Sequence, residues 1–278
     1  MLPLDRQYQS ILKSLMNEGI EELSERTGHT TKSLPGVTVQ VDLQQSFPVL
    51  TLRKIPIKIF VAEQVWFIMG SRRPDELLQQ FTHIWDDFTN IDGVVTVAYG
   101  YRMRHHFDRD QLDLLIKLLE KESSSRHGVI VFWDPASDGL NPDLKKKNVP
   151  CPYTFTVNII GGRLHFHLMV RSNDMILGFP HDIGGFSLLA YILSARLKVQ
   201  PGIFTHSISN AHVYDIHFEA VQEIINRTND HSPIQFTAQP DYFERAERAD
   251  STLVKDIVDR LEFQYHPEPP ISGLKIVL

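Results

Sequence analysis

A chain of 278 residues with 42% hydrophobic and 22% charged content is long enough to bury a sizeable core and has the make-up of an ordinary globular protein. Its formal net charge of -6 leaves no basic footprint for extended nucleic-acid binding, so that class of partner is not expected. A single cysteine, Cys151, excludes an internal disulfide and points to a reducing, cytoplasmic setting. The opening residues 1–6 lack the basic-then-apolar layout of a signal peptide. The apolar run 55–70 is broken by Lys58 and Glu63, so no membrane span is expected. Without a repeat, a low-complexity stretch or a linker, the expectation is a single domain over 1–278.

In chain order, Ile11, Leu12, Leu15 and Met16 give helical spacing over 6–19. Residues 37–43 alternate like a half-buried strand, and 57–69 form a strongly apolar helix with Glu63 in its middle. A helix over 110–122 puts Leu112, Leu115, Ile116 and Leu119 on one face, and 129–133 reads as a buried strand. The segment 134–150, with Lys145, Lys146 and Lys147, is the most polar and reads as a solvated loop; the alternative is a landing place for an acidic tail on a ligand. Gly161-Gly162 between 153–160 and 163–170 signals a hairpin. A helix over 183–197, a strand over 203–209 and a helix over 214–226 follow. Mixed elements without a regular βαβ rhythm favour an α+β fold.

Cys151 lies in Val149-Pro150-Cys151-Pro152, and Arg171-Ser172-Asn173-Asp174 and Gly178-Phe179-Pro180-His181-Asp182 follow it. Buried cysteines usually serve as small hydrophobes, whereas a neighbouring arginine can lower a thiol's pKa and hold it as thiolate. Taken singly, Glu63 reads as an ion-paired helix residue, Trp85 as core and His212 as a satisfied buried histidine. His105-His106 and His165-x-His167 have no supporting ligand spacing, so no metal is expected.

Together these segments resemble the thymidylate synthase superfamily, the pyrimidine-nucleotide C5 methylases and hydroxymethylases. The order is that of the family: Arg26-Thr27-Gly28, Phe47-Pro48-Val49-Leu50-Thr51, Glu63-Gln64-Val65-Trp66-Phe67, Ile84-Trp85-Asp86, Tyr99-Gly100, Ser125-Arg126 and Pro150-Cys151. Arg171-Ser172-Asn173-Asp174, Leu177 to Ile183 and Ala211-His212-Val213-Tyr214 complete it. The resemblance implies a mixed β-sheet flanked by helices and a homodimer formed through the sheet. It implies Cys151 as the nucleophile that adds to C6, making C5 reactive toward the one-carbon unit of 5,10-methylenetetrahydrofolate, the co-substrate. Arg26, Arg171, Ser172 and an Arg126 donated by the other subunit would hold the 5′-phosphate. His212 and Tyr214 would bind the sugar hydroxyl. Glu63 would organise water and protons, and Tyr99 would help remove the C5 proton. Trp85 and Asp174 would contact the folate.

The departures gather at the base. Asp182 stands where thymidylate synthases carry Asn, and His181 where they carry Phe. Pro152 replaces a histidine, Val170 a glutamine, His127 the second arginine of the pair, Ser209-Asn210 a Gly-Asp and Ile216 an asparagine. Uracil offers an N3–H donor and an O4 acceptor; cytosine reverses both, and a carboxyl group can match it. Asp182 thus resembles the deoxycytidylate hydroxymethylases of the superfamily, phage enzymes, and makes dCMP hydroxymethylation the expected activity. A dCMP methylase comes next, then a thymidylate synthase or a dUMP or CMP hydroxymethylase, and last a non-catalytic nucleotide- or RNA-binding homologue.

Overall fold

The computed structural model describes residues 1–140 and 149–277. The Lys145–Lys147 segment lies outside the described residues. The chain runs α1 (Pro3–Glu18), β1 (Ile20–Leu23), β2 (Thr30–Asp42), α2 (Ile57–Met69), α3 (Tyr99–Arg104), α4 (Gln111–Lys121), β3 (Val129–Val131), β4 (Pro152–Ile160) and β5 (Arg163–Val170). There follow β6 (Asn173–Asp174), α5 (Gly178–Arg196), β7 (Gln200–Tyr214), α6 (Phe218–Asn226), α7 (Tyr242–Glu247) and α8 (Ser251–Glu262).

The seven strands form one mixed sheet in the order β1-β2-β7-β5-β4-β3, with β6 paired to β7. All pairings are antiparallel except β5 with β7 and β6 with β7. A parallel pair cannot close through a tight turn, and here α5 supplies the crossover. This is an α+β architecture of a mixed sheet flanked by helices, as expected.

The inner face of the sheet buries Phe155, Val157, Phe166, Leu168, Val170, Phe204 and Ile208. Against it lies α5, and α2 packs on α5; both helices are apolar on nearly every side and buried accordingly. The outer face is polar: His167 Nε2 bonds Ser207 Oγ at 2.9 Å, and Gln40 Nε2 donates to Thr205 Oγ1 at 3.2 Å.

Several boundaries differ from the sequence reading. The segment 129–133 is not a buried strand: β3 is a three-residue edge strand with Val129 and Val131 exposed. β7 runs on to Tyr214, and the helix expected from 214 starts only at Phe218. Pairing with β2 over Thr31–Asp42 holds this stretch extended against its local helical spacing. Helix α5 starts five residues earlier than the hydrophobic run, at Gly178 rather than Ile183.

Candidate active site

The crossover fixes where chemistry-bearing residues meet. Because β5 and β7 are parallel, their C-terminal ends open on the same side. Arg171 and Ser172 leave the end of β5, and His212 and Tyr214 end β7. β4 runs antiparallel to β5, so its first residue faces the last of β5: Pro152 pairs with Val170. Cys151, one step before, meets Arg171, whose backbone N–H donates to the Cys151 carbonyl at 2.9 Å. β6 pairs Asn173 with Ala211 and Asp174 with His212. The second turn of α5 then brings Asp182 back over the same opening.

The Arg171 side chain clamps the cysteine loop. Its Nε donates to the Pro150 carbonyl at 2.8 Å and its Nη2 to that of Val149 at 3.0 Å, and Nη2 lies 3.7 Å from Cys151 Sγ. Sequence reasoning expects this guanidinium to hold a thiolate. The balance falls the other way: burial pushes the Cys151 thiol above its ordinary value, Arg171 and Arg26 pull against that, and the Asp182 charge adds to the rise. Cys151 therefore stays protonated at neutral pH in the free protein.

Three acidic groups surround the thiol. Glu63, from the middle of α2, accepts a 2.7 Å hydrogen bond from Trp85 Nε1. Burial lifts its pKa to about 8 despite that bond, with the Asp182 charge contributing. Asp182 is pushed up to about 7 by burial, while a bond from Asn173 opposes the rise. Tyr99, on the first turn of α3, is raised well above its ordinary value by burial and by the neighbouring Cys151, Asp182 and Glu63 charges. Trp85 is therefore held edge-on to Tyr99, at 5.6 Å between ring centroids, and its indole serves Glu63.

The opposite wall is basic. Arg26 sits on a tight turn closed by Gly28 at positive φ, whose N–H donates to the Ser24 carbonyl at 2.8 Å. His29 Nδ1 bonds Asp215 Oδ1 at 2.9 Å and ties that turn to the residue after Tyr214. The Arg26 charge acts on Tyr214, Cys151 and His212. Burial holds His212 neutral, with its Nδ1 3.1 Å from Asn210 Oδ1. Ser172 is half-buried, and its hydroxyl has no hydrogen-bond partner among the described residues. Asp174 uses one carboxylate oxygen on the backbone N–H groups of Ile176 and Leu177, at 2.8 and 3.3 Å.

Of the residues singled out in the sequence, all but one gather here. Arg126 lies in the connection between α4 and β3, exposed and without a hydrogen bond or ion pair among the described residues. Two residues to which the sequence reading gave no role also belong. Asn173 is buried and donates from Nδ2 to Asp182 Oδ2 at 2.5 Å. His181 is held neutral by burial and the Arg53 charge, with a pKa of about 4, and its buried Nδ1 has no partner. His181 precedes Asp182 in its motif and Asn173 lies in the Arg171–Asp174 motif; a polar residue beside buried neighbours was the available signal. Among the described residues no group of three His, Cys, Asp or Glu side chains could hold a metal ion. No helix among them is long and apolar enough to cross a membrane. A surface hollow of about 450 Å³ beside Phe236, Arg260 and Phe263 lies apart from all of these residues.

A family profile described as "Thymidylate synthase" matches residues 6–273, nearly the whole chain. The chain belongs to the thymidylate synthase family. It is similar to a solved thermostable thymidylate synthase A from Bacillus subtilis, at 27% identity and a TM-score of 0.72. The match covers 83% of this chain and 86% of that one. Membership makes this protein a one-carbon transferase of the thymidylate synthase type, acting on a pyrimidine nucleotide. The family's co-substrate is methylenetetrahydrofolate, and its members bind nucleotide and folate and are typically dimeric.

Proposed function

We propose that this family member is a folate-dependent dCMP hydroxymethylase. The observation that carries the reading is the carboxyl of Asp182, half-buried over the opening that holds Cys151 and pushed up to about 7 by desolvation. A protonated carboxyl donates to cytosine N3 and accepts from N4. Ionised, it pairs only with cytosine already protonated at N3. A uracil O4 facing a carboxylate would bring two acceptors together, and such an unmatched buried contact costs about 1–3 kcal/mol.

In this reading Arg26, Arg171 and Ser172 bind the 5′-phosphate, joined by Arg126 from a partner subunit. His212 and Tyr214 take the sugar hydroxyl. A phosphate beside Arg171 neutralises the guanidinium that pulls on the thiol, so the proton of Cys151 must leave through the acidic cluster rather than by simple thiolate storage. Tyr99 and Glu63 form that relay: Tyr99 passes a proton on and the Glu63 carboxylate, in the fraction ionised around its pKa of about 8, takes it up. Sγ adds to C6, the electron pair moves to C5, and C5 takes up the one-carbon unit. In this reading Tyr99 helps remove the C5 proton. Loss of the C5 proton breaks the bond from the one-carbon unit to the folate nitrogen and releases tetrahydrofolate, leaving an exocyclic methylene. Water adds to that carbon, Sγ leaves C6, and 5-hydroxymethyl-dCMP results.

The folate supplies the one-carbon unit when bound, and the residues present suit it. Trp85 offers an aromatic wall beside Phe88 and Tyr99, and Asp174 keeps one carboxylate oxygen unbonded for a ring N–H. Water as the final nucleophile rests on the likeness of Asp182 to the hydroxymethylase branch of the family. A dCMP methylase uses the same groups up to that step.

Incubation with dCMP, dUMP or CMP and methylenetetrahydrofolate, followed by mass analysis of the nucleotide and identification of the folate released, tests this. A gain of CH₂O on dCMP with tetrahydrofolate released is expected. A gain of CH₂ with dihydrofolate identifies a methylase instead, and turnover confined to dUMP would sink the reading of Asp182.

A further inference from the structure

A carboxylic acid alone does not distinguish cytosine from uracil. With the proton on one oxygen it pairs with cytosine; with the proton on the other it offers an acceptor to uracil N3–H and a donor to O4. Something must decide which oxygen carries it. Asn173 Nδ2, buried, lies 2.5 Å from Asp182 Oδ2. An amide nitrogen only donates, so Oδ2 must present a lone pair and any proton sits on Oδ1.

The amide is itself held in place. Its backbone is pinned in β6 against Ala211. Its Oδ1 fills the space at Gly178, where a Cβ would come within 3.3 Å of it. That oxygen has no partner, but turning the amide over would leave both N–H bonds buried and unpaired in its stead.

We propose that Asn173 is a specificity-determining positioning residue: it fixes the polarity of the Asp182 carboxyl, with Oδ1–H toward N3 and Oδ2 toward N4, so that cytosine is accepted and uracil refused. This rests on the dCMP reading of the same site. It also separates Asn173 from a merely structural role, because it makes an unusual statement about Asp182→Asn. With Asn173 in place, the new amide is gripped by its carbonyl and turns its NH₂ toward N3, which still suits cytosine. Only when Asn173 is also removed is the amide free to turn and suit uracil.

The test measures kcat/KM for dCMP and for dUMP in the native protein, Asn173→Ala, Asp182→Asn and the double variant. Asn173→Ala is expected to lower the dCMP-to-dUMP ratio about tenfold or more, the worth of one buried hydrogen-bond match. Asp182→Asn alone keeps dCMP as the better substrate, and the double variant prefers dUMP. An unchanged ratio in Asn173→Ala overturns the proposal, as does a full switch to dUMP in Asp182→Asn alone. Native turnover of dUMP in preference to dCMP overturns the dCMP reading itself and this inference with it. Asn173→Ser, which keeps a small polar side chain but does not fix a donor, provides the same readout should the alanine variant fail to fold: a lowered ratio supports the proposal and a native ratio overturns it.

Discussion

Glu63 and Asp182 keep their protons to about pH 8 and about pH 7 because burial removes the water that would solvate their charges. The sign for stability follows. Between its ordinary value of 3.8 and about 7, Asp182 is protonated in the folded chain and ionised in the unfolded one, so stability falls as pH rises through that window. Asp182→Asn therefore raises the Tm relative to the native protein by about 3 °C or more at pH 7 and above, and by nothing near pH 4. Glu63→Gln opens its gap up to about pH 8 instead. Thermal melts across pH check this; a Tm gap independent of pH would remove the desolvation argument. Activity carries a second signature. For dCMP, kcat/KM falls on the alkaline side as Asp182 ionises near pH 7, and that limb is absent in Asp182→Asn. The sequence marked Asp182 by a departure from a motif. It could not mark its protonation, which depends on the burial that the fold creates around it.

At the scale of elements, the site depends on how closely α3 meets α2. Gly100 lies beside Tyr99, and a Cβ there would come within 2.4 Å of the Phe67 carbonyl oxygen. Backbone cannot yield as a flexible side chain does. Gly100→Ala is thus expected to push α3 off α2, costing about 1–3 kcal/mol, and to carry Tyr99 away from Cys151 and Glu63. Calorimetry should show a lower Tm, and kcat measured well below that Tm should fall with KM for the nucleotide little changed; native kcat in the variant would detach Tyr99 from the relay. The helical spacing of α2 and the Gly161-Gly162 hairpin were legible in the sequence because both are local signals. The edge position of β3 and the extension of β7 to Tyr214 were not, since pairing with distant strands decides them.

At the scale of the whole molecule, Arg126 is the residue the single chain leaves out. It is exposed and unpaired among the described residues, whereas Arg26 and Arg171 already converge on the thiol. A homodimer that lends Arg126 across its interface has a definite consequence. Cys151→Ser and Arg126→Ala homodimers are each expected to be nearly inactive. Mixed in equal amounts and allowed to exchange subunits, they form hybrids with one site holding both native residues, so activity returns to about a quarter of native by symmetry. Absence of any return after exchange, with hybrids demonstrated by mass, would place Arg126 outside the partner's site.

The sequence by itself determined the family and the residues to propose for its site. It did so because the motifs are short, ordered and rich in side chains that suit phosphate, thiol and carboxyl chemistry. It also determined the core helices, whose apolar surface has nowhere to go but inside. The tertiary structure alone decided the charge states and the pairings. Cys151 is a half-buried thiol rather than a thiolate, because loss of water outweighs the pull of Arg171. Asp182 is a carboxyl with one oxygen committed to Asn173, because a parallel crossover brings the second turn of α5 back over β6. Desolvation and hydrogen-bond partnership are properties of assembled surroundings, and residues far apart in the chain supply them.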